Sequence, residues 1–250
     1  LLLLLTVAAV TGAIYQGIAT RRDAKRFPPP GRMVRVGDHR LHLVCAGAGT
    51  PTVVLDGPVG TSYLVWTSVQ PGIAAFTRVC AYDRAGYGWS DGGPRTRTSV
   101  QMAEELHELL RQADVQGPYV LVGNSLGGMN LRAFAALFAG DVAGMVLLDA
   151  GHEDQFRRLP KSAGISPAER RMIRLVQAAS RVGLARLAGI ALGEGSSDQL
   201  PDSLRAAARA MGLRTSWVDA VHDEVFQVER GHDEVGAAVA RAPRPLLGDR

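Results

Sequence analysis

Tyr119-Val120-Leu121-Val122-Gly123-Asn124-Ser125-Leu126-Gly127-Gly128 is the stretch around which the chain is organised. Its first five residues are apolar or small and predict a buried strand. A Gly-x-Ser-x-Gly turn follows, and Met129 to Ala139 predict a helix rich in Ala, Leu and Phe. Strand, turn and helix in that order are what a nucleophile elbow requires. The turn strains the backbone at Ser125 and brings positions 123 and 127 too close for side chains, hence Gly123 and Gly127. Ser125 Oγ is then expected at the carboxyl end of a parallel sheet, with a helix N-terminus behind it to favour developing negative charge. The bare motif is short enough to arise by chance; its place between an apolar strand and a helix gives it weight.

At 250 residues, 46% hydrophobic and 21% charged, the chain is long and apolar enough for one domain plus a subdomain. The net charge of +4 is mildly basic, but no Lys/Arg run is interleaved with aromatics, so no nucleic-acid partner is expected. Cys45 and Cys80 make neither a metal pattern nor a disulfide framework. Each ends an apolar run, and buried thiols are expected. No metal, nucleotide or flavin cofactor is implied: there is no His/Cys ligand pattern, and the glycine loops do not match a phosphate cradle.

Leu1 to Thr20 carry no charge, and five leucines open the run. Twenty helical residues span about 30 Å, the thickness of a bilayer core. Arg21, Arg22, Lys25 and Arg26 follow as a membrane-flanking cluster. Residues 1–20 are therefore expected to be a single-pass membrane anchor, with a cleaved signal segment as the rival reading and the side of the membrane open. Residues 21–31 form a basic, proline-rich linker, stiff at Phe27-Pro28-Pro29-Pro30-Gly31. The chain opens on Leu inside an apolar run and stops on a turn-like Pro243–Arg250, so it reads as truncated at both ends.

Met33–Val36 and Leu41–Cys45, joined through Gly37-Asp38, predict a hairpin on which His39 and His42 are edge polar positions. Thr52–Leu55 predict a buried strand running into Asp56–Ser62, a Gly-rich loop. Pro58 has no N–H, so the amide of Val59 is the candidate second oxyanion donor, beside that of Leu126. Thr77–Tyr82 predict the next strand, and Asp83 with Arg84 reads as a local ion pair. Ser99 is the expected cap of a helix burying Met102, Leu106, Leu109 and Leu110. Val142–Leu148 predict a strand that closes at Asp149–His152. Residues 32–152 thus form the core.

From 153 to 242 no strand is predicted and helical periodicity takes over. Ser166-Pro167 open a helix with an apolar stripe at Ile173, Val176, Ala179 and Val182; Arg170, Arg171, Arg174 and Arg181 lie outside it and read as a solvated face or, alternatively, as a face resting on anionic lipid. This segment reads as a helical lid, and residues 243–250 as the approach to a further core strand.

The elbow, the loop Tyr82-Asp83-Arg84-Ala85-Gly86-Tyr87-Gly88-Trp89-Ser90 and the strands before them resemble the α/β-hydrolase superfamily, in particular its bacterial membrane-anchored members. The resemblance implies a mostly parallel sheet with helices on both faces and a helical lid. It also implies a serine hydrolase that attacks an ester-like or amide-like small-molecule carbonyl through an acyl-enzyme on Ser125. In that family the acid follows the strand after the lid and the His follows the last strand. Both are then expected beyond residue 250, their C-terminal strands missing, and the chain as given is expected to be inactive. Asp149, His152, His222 and His232 are the internal substitutes to weigh. Asn124, where many relatives carry His, resembles the C–C bond hydrolases, although Asp56–Ser62 does not match their oxyanion loop. A non-catalytic ligand-binding protein is the rival from another class.

Overall fold

The computed structural model describes residues 1–158, 164–193 and 200–242. In chain order its elements are α1 (Leu2–Arg26), β1 (Arg32–Val36), β2 (His39–Ala46), β3 (Thr52–Asp56), a 3-10 turn (Tyr63–Trp66), α2 (Gln70–Ala74), β4 (Val79–Asp83), α3 (Ser99–Gln112), β5 (Tyr119–Asn124), α4 (Leu126–Leu137), β6 (Val142–Leu148), α5 (Gln155–Arg158), α6 (Pro167–Arg181), α7 (Leu184–Leu187), α8 (Asp202–Gly212) and α9 (Thr215–Arg241). The expected approach to a further strand, 243–250, lies outside the described residues.

The strands form one six-stranded sheet in the order β1-β2-β4-β3-β5-β6. The β1–β2 and β2–β4 pairs are antiparallel; β4–β3, β3–β5 and β5–β6 are parallel. Successive residues of a strand face opposite sides, and over β3 and β4 both sides are covered. Val54, Cys80, Tyr82, Tyr119 and Leu121 join one core with α3 and α4. Val53, Leu55, Val79 and Ala81 join another, roofed by Tyr63, Leu64 and Trp66 of the 3-10 turn and by Ala208 of α8. This is why β3 and β4 read as unbroken apolar runs. The long helix α9 bridges layers: Trp217 and Val221 pack in a third cluster with Tyr87, whereas Val235 is fully buried in the first core.

Five local expectations are corrected. Cys45 and Cys80 are not thiols; they face each other across the antiparallel β2–β4 pair and are joined by a disulfide. His39 and His42 are not edge positions: β2 lies between β1 and β4, both side chains are buried, and His42 is packed against Tyr63 and Trp89. The cap of α3 is Thr98, whose hydroxyl accepts from Gln101 N–H in a capping box, and Ser99 is the first helical residue. The buried stripe of α6 is Ile173, Gln177 and Ser180, with Gln177 Nε2 donating to Asp219 Oδ1 at 2.7 Å. The α6 arginines are not merely solvated: Arg170 and Arg174 stack on Phe226 of α9, and Arg170 bonds Glu229.

Candidate active site

Ser125 lies between β5 and α4 with φ +52° and ψ −121°. A left-handed backbone is costly for a residue with a Cβ, about 1–3 kcal/mol, and persists only where its surroundings fix it. Here Ser125 N–H donates to Leu148 O (3.3 Å), and Ser125 O accepts from Gly128 N–H (3.1 Å) and Gly151 N–H (3.0 Å). The flanking glycines are sterically required. A Cβ at Gly123 would lie 2.5 Å from Gly128 Cα, and one at Gly127 would collide with the Asp56 carbonyl. Asn124 spends its side-chain amide on structure, donating to Leu148 O at 2.6 Å.

Val59, Ser125 and Leu126 line one cavity of about 650 Å³. Among the described residues, neither the Val59 nor the Leu126 N–H is donated to another group. The three site residues read from the sequence are therefore brought together. Asp149, His152 and His232 share that cavity, and His222 does not. His222 bonds Asp223 at 2.8 Å and stacks on Phe226. His152 is exposed, and its Nδ1 accepts from Asp154 N–H at 3.1 Å. His232 is buried and its Nδ1 donates to Val228 O at 2.7 Å; burial pushes its imidazole below the ordinary histidine range. Among the described residues no group of three His, Cys, Asp or Glu side chains is placed to hold a metal ion.

Behind the cavity lies a buried charge cluster that the sequence reading missed. Asp83 does not pair with Arg84. Its carboxylate takes His42 Nδ1 (2.8 Å), Tyr63 N–H (2.7 Å) and Trp89 N–H (2.9 Å). Arg84 turns the other way and uses all five of its N–H donors. Nε and Nη2 donate to Glu224 of α9 (2.9 and 3.0 Å), Nη1 to Asp56 Oδ1 (2.6 Å) and Gly57 O (2.8 Å), and Nη2 also to Pro58 O (2.7 Å). Burial alone would push the Arg84 guanidinium down, but Glu224 and Asp56 keep it charged. Burial would likewise raise the Glu224 carboxyl, yet Arg84 and Arg97 hold it below the usual range. Tyr87 completes the cluster, donating to Glu224 (2.9 Å) and accepting from Gly60 N–H (3.2 Å). The carbonyls of Gly57 and Pro58 and the amide of Gly60 are thus pinned on both sides of Val59. One signal could have separated the two neighbours: adjacent residues at a strand end point to opposite faces, which turns Asp83 and Arg84 away from each other.

Known proteins place this architecture. Over 225 residues the chain is 27% identical to the uncharacterised YqjL of Bacillus subtilis, covering 80% of this chain and 89% of that one. Over 123 residues it is 33% identical to a 2-hydroxy-6-oxo-2,4-heptadienoate hydrolase of Pseudomonas putida, covering 48% and 44%. The solved enol-lactonase of Burkholderia xenovorans superposes with a TM-score of 0.58 at 17% identity, covering 79% of this chain and 73% of that one. Two longer curated relatives match at 31% and 46% identity, and the chain spans only 20% and 28% of their lengths. A family profile described as the alpha/beta hydrolase fold matches residues 50–183, from just before β3 through the Ser125 turn and into the helical segment. The chain belongs to the α/β-hydrolase fold family.

Proposed function

We propose that this protein is a serine hydrolase acting on an ester-like or amide-like carbonyl, with residues 153–242 contributing a lid and α1 attaching it to a membrane. The observation that carries the reading is the strained Ser125 lining the same cavity as Val59 and Leu126, whose backbone amides have no acceptor among the described residues. Ser125 Oγ attacks the carbonyl carbon and gives up its proton to a general base. The carbonyl oxygen becomes an oxyanion between the two N–H groups, where preorganised donors are worth about 10²–10³ in rate. Collapse expels the leaving group, which takes a proton, and water then hydrolyses the acyl-enzyme. The membrane part of the reading is supported by α1, which is long and apolar enough to cross a membrane by length and composition.

A fluorophosphonate probe tests the assignment directly. Wild type should be labelled on Ser125 and Ser125→Ala should not; persistent labelling of the Ala variant sinks it. His152→Ala and His232→Ala, labelled in parallel, report whether either cavity histidine assists the serine; unchanged labelling of both assigns that role to another residue.

The Pseudomonas putida relative favours a second reading, C–C bond hydrolysis, in which the same serine site would act on a ring-fission product. Turnover of such a dienoate, with no turnover of simple esters, would replace the first reading with this one.

A further inference from the structure

The N-terminal helix is two structures in one. As far as Val10 it is free, with Leu1 to Leu5, Val7 and Val10 all exposed. From Gly12 onward one stripe docks on the helical segment. Gly12 approaches Val182 so closely that a Cβ would collide with its carbonyl. Gln16 is buried and donates to Leu213 O at 2.9 Å. Arg186 donates to Gln16 Oε1 (3.0 Å) and to Asp23 Oδ2 (2.6 Å). The corner between α6 and α7, at Val182–Gly183, therefore meets α1 at the level where its free apolar half begins.

That corner carries outward apolar side chains. Met172 and Leu175, one turn apart on α6, are 53% and 61% exposed; Leu184 and Leu187, one turn apart on α7, are 58% and 66% exposed, and Ile190 follows at 46%. Isolated exposed apolar residues are ordinary, but a concentration of them marks a surface with a partner. Charge chooses among partners. Of the five arginines in residues 167–193, Arg170, Arg181 and Arg186 pair with Glu229, Asp219 and Asp23, which leaves Arg171 and Arg174 as the exposed basic side chains of α6. Basic and apolar side chains displayed together on helices suit the headgroup–acyl boundary of an anionic bilayer.

We propose that the α6–α7 corner rests on the same lipid bilayer that takes up the free half of α1, with Leu184, Leu187 and Ile190 in the headgroup–acyl boundary. This rests on the membrane attachment of α1 proposed above and is independent of the chemistry at Ser125. It makes the helical segment a membrane-contacting element and holds one side of the proposed lid at the lipid surface.

The test places an environment-sensitive fluorophore on a single introduced cysteine at Val10, Leu187 or Phe76 of the full chain. Cys45 and Cys80, joined by their disulfide, do not take the label. Phe76, at 76%, is an apolar control at least as exposed as the other two positions. Vesicles of phosphatidylcholine and phosphatidylglycerol carry a nitroxide-labelled lipid as quencher. The probes at Val10 and Leu187 should lose emission and the probe at Phe76 should not. Loss at Val10 with Leu187 behaving like Phe76 overturns the corner proposal and leaves the attachment of α1 standing. No loss at Val10 overturns both. A blue shift of the Leu187 probe without vesicles, growing with protein concentration, assigns the face to a second copy and overturns the proposal.

Discussion

Arg84 is the residue on which most of the site's geometry converges. Its five donors are satisfied by two buried carboxylates and two loop carbonyls. Removing the guanidinium leaves buried Asp56 with only the neutral donors Tyr82 and Asn130, and Glu224 with Arg97 and Tyr87, and loss of a buried ion-pair partner is worth about 3–5 kcal/mol. Arg84→Met should therefore lower the urea midpoint by that order. A double variant, Arg84→Met with Glu224→Leu, should recover part of the loss, because the second change removes one of the two carboxylates. If the two single losses simply add, the pair is not coupled. The neighbouring glycine makes a second prediction. The Cβ of Gly127→Ala has backbone on its far side, at the carbonyls of Asp56 and Gly57, and nothing flexible to yield. That variant should lose fluorophosphonate labelling at Ser125 and unfold earlier, by about 1–3 kcal/mol, the range for an overfilled site. Retained labelling at wild-type stability would show that the two loops do not need their observed approach.

At the scale of elements, the first hairpin is tied to α3 by a titrating contact. His39 on β2 lies 3.4 Å from Glu105 and 3.0 Å from Asp38. The Glu105 carboxylate beside it is the largest influence and raises the imidazole above its ordinary range, with burial working against it. Raised in the folded state, it contributes stability that is fully present below the unfolded value and is lost as pH rises through the folded one. The melting-temperature gap between wild type and His39→Gln should thus be wider below pH 6.5 than at mildly alkaline pH. A gap that widens with pH would reverse the assignment. The elements themselves were largely legible in the sequence, because periodicity and caps are local signals. The elbow strand, the strand Val142–Leu148 and the start of α6 at Ser166-Pro167 all stand where the pattern puts them. The contacts between elements were not. Arg84 and Glu224 are 140 positions apart, and Cys45 meets Cys80 only through the β2–β4 register. The α3 cap was missed by one residue, since Thr98 and Ser99 carry the same hydroxyl and only the backbone distinguishes them.

For the molecule as a whole, α1 divides at Gly12 into a part the globule does not use and a part it does. Deleting residues 1–11 should leave the melting temperature unchanged. Deleting residues 1–26 removes Gln16 and Asp23 and leaves Arg186, largely buried, without the two partners it has on α1. The longer deletion should melt several degrees lower, as a loss of about 1–2 kcal/mol would require in a domain of this size. Equal melting temperatures would make the docked stripe energetically idle. The disulfide has a consequence of another kind, for biogenesis. The strands it joins lie side by side in the sheet, and structural disulfides belong to oxidising compartments as a rule. The basic cluster after the apolar helix favours retention on the cytoplasmic side, whereas the cystine favours translocation of the core. The two signals give opposite topologies, and a covalent bond is the more exacting of them. The mature protein is therefore expected to expose its core to the exterior. Thiol alkylation in intact cells reads this out: Cys45 and Cys80 should resist the reagent until a reductant is added, and immediate modification of both would place the core in the cytoplasm.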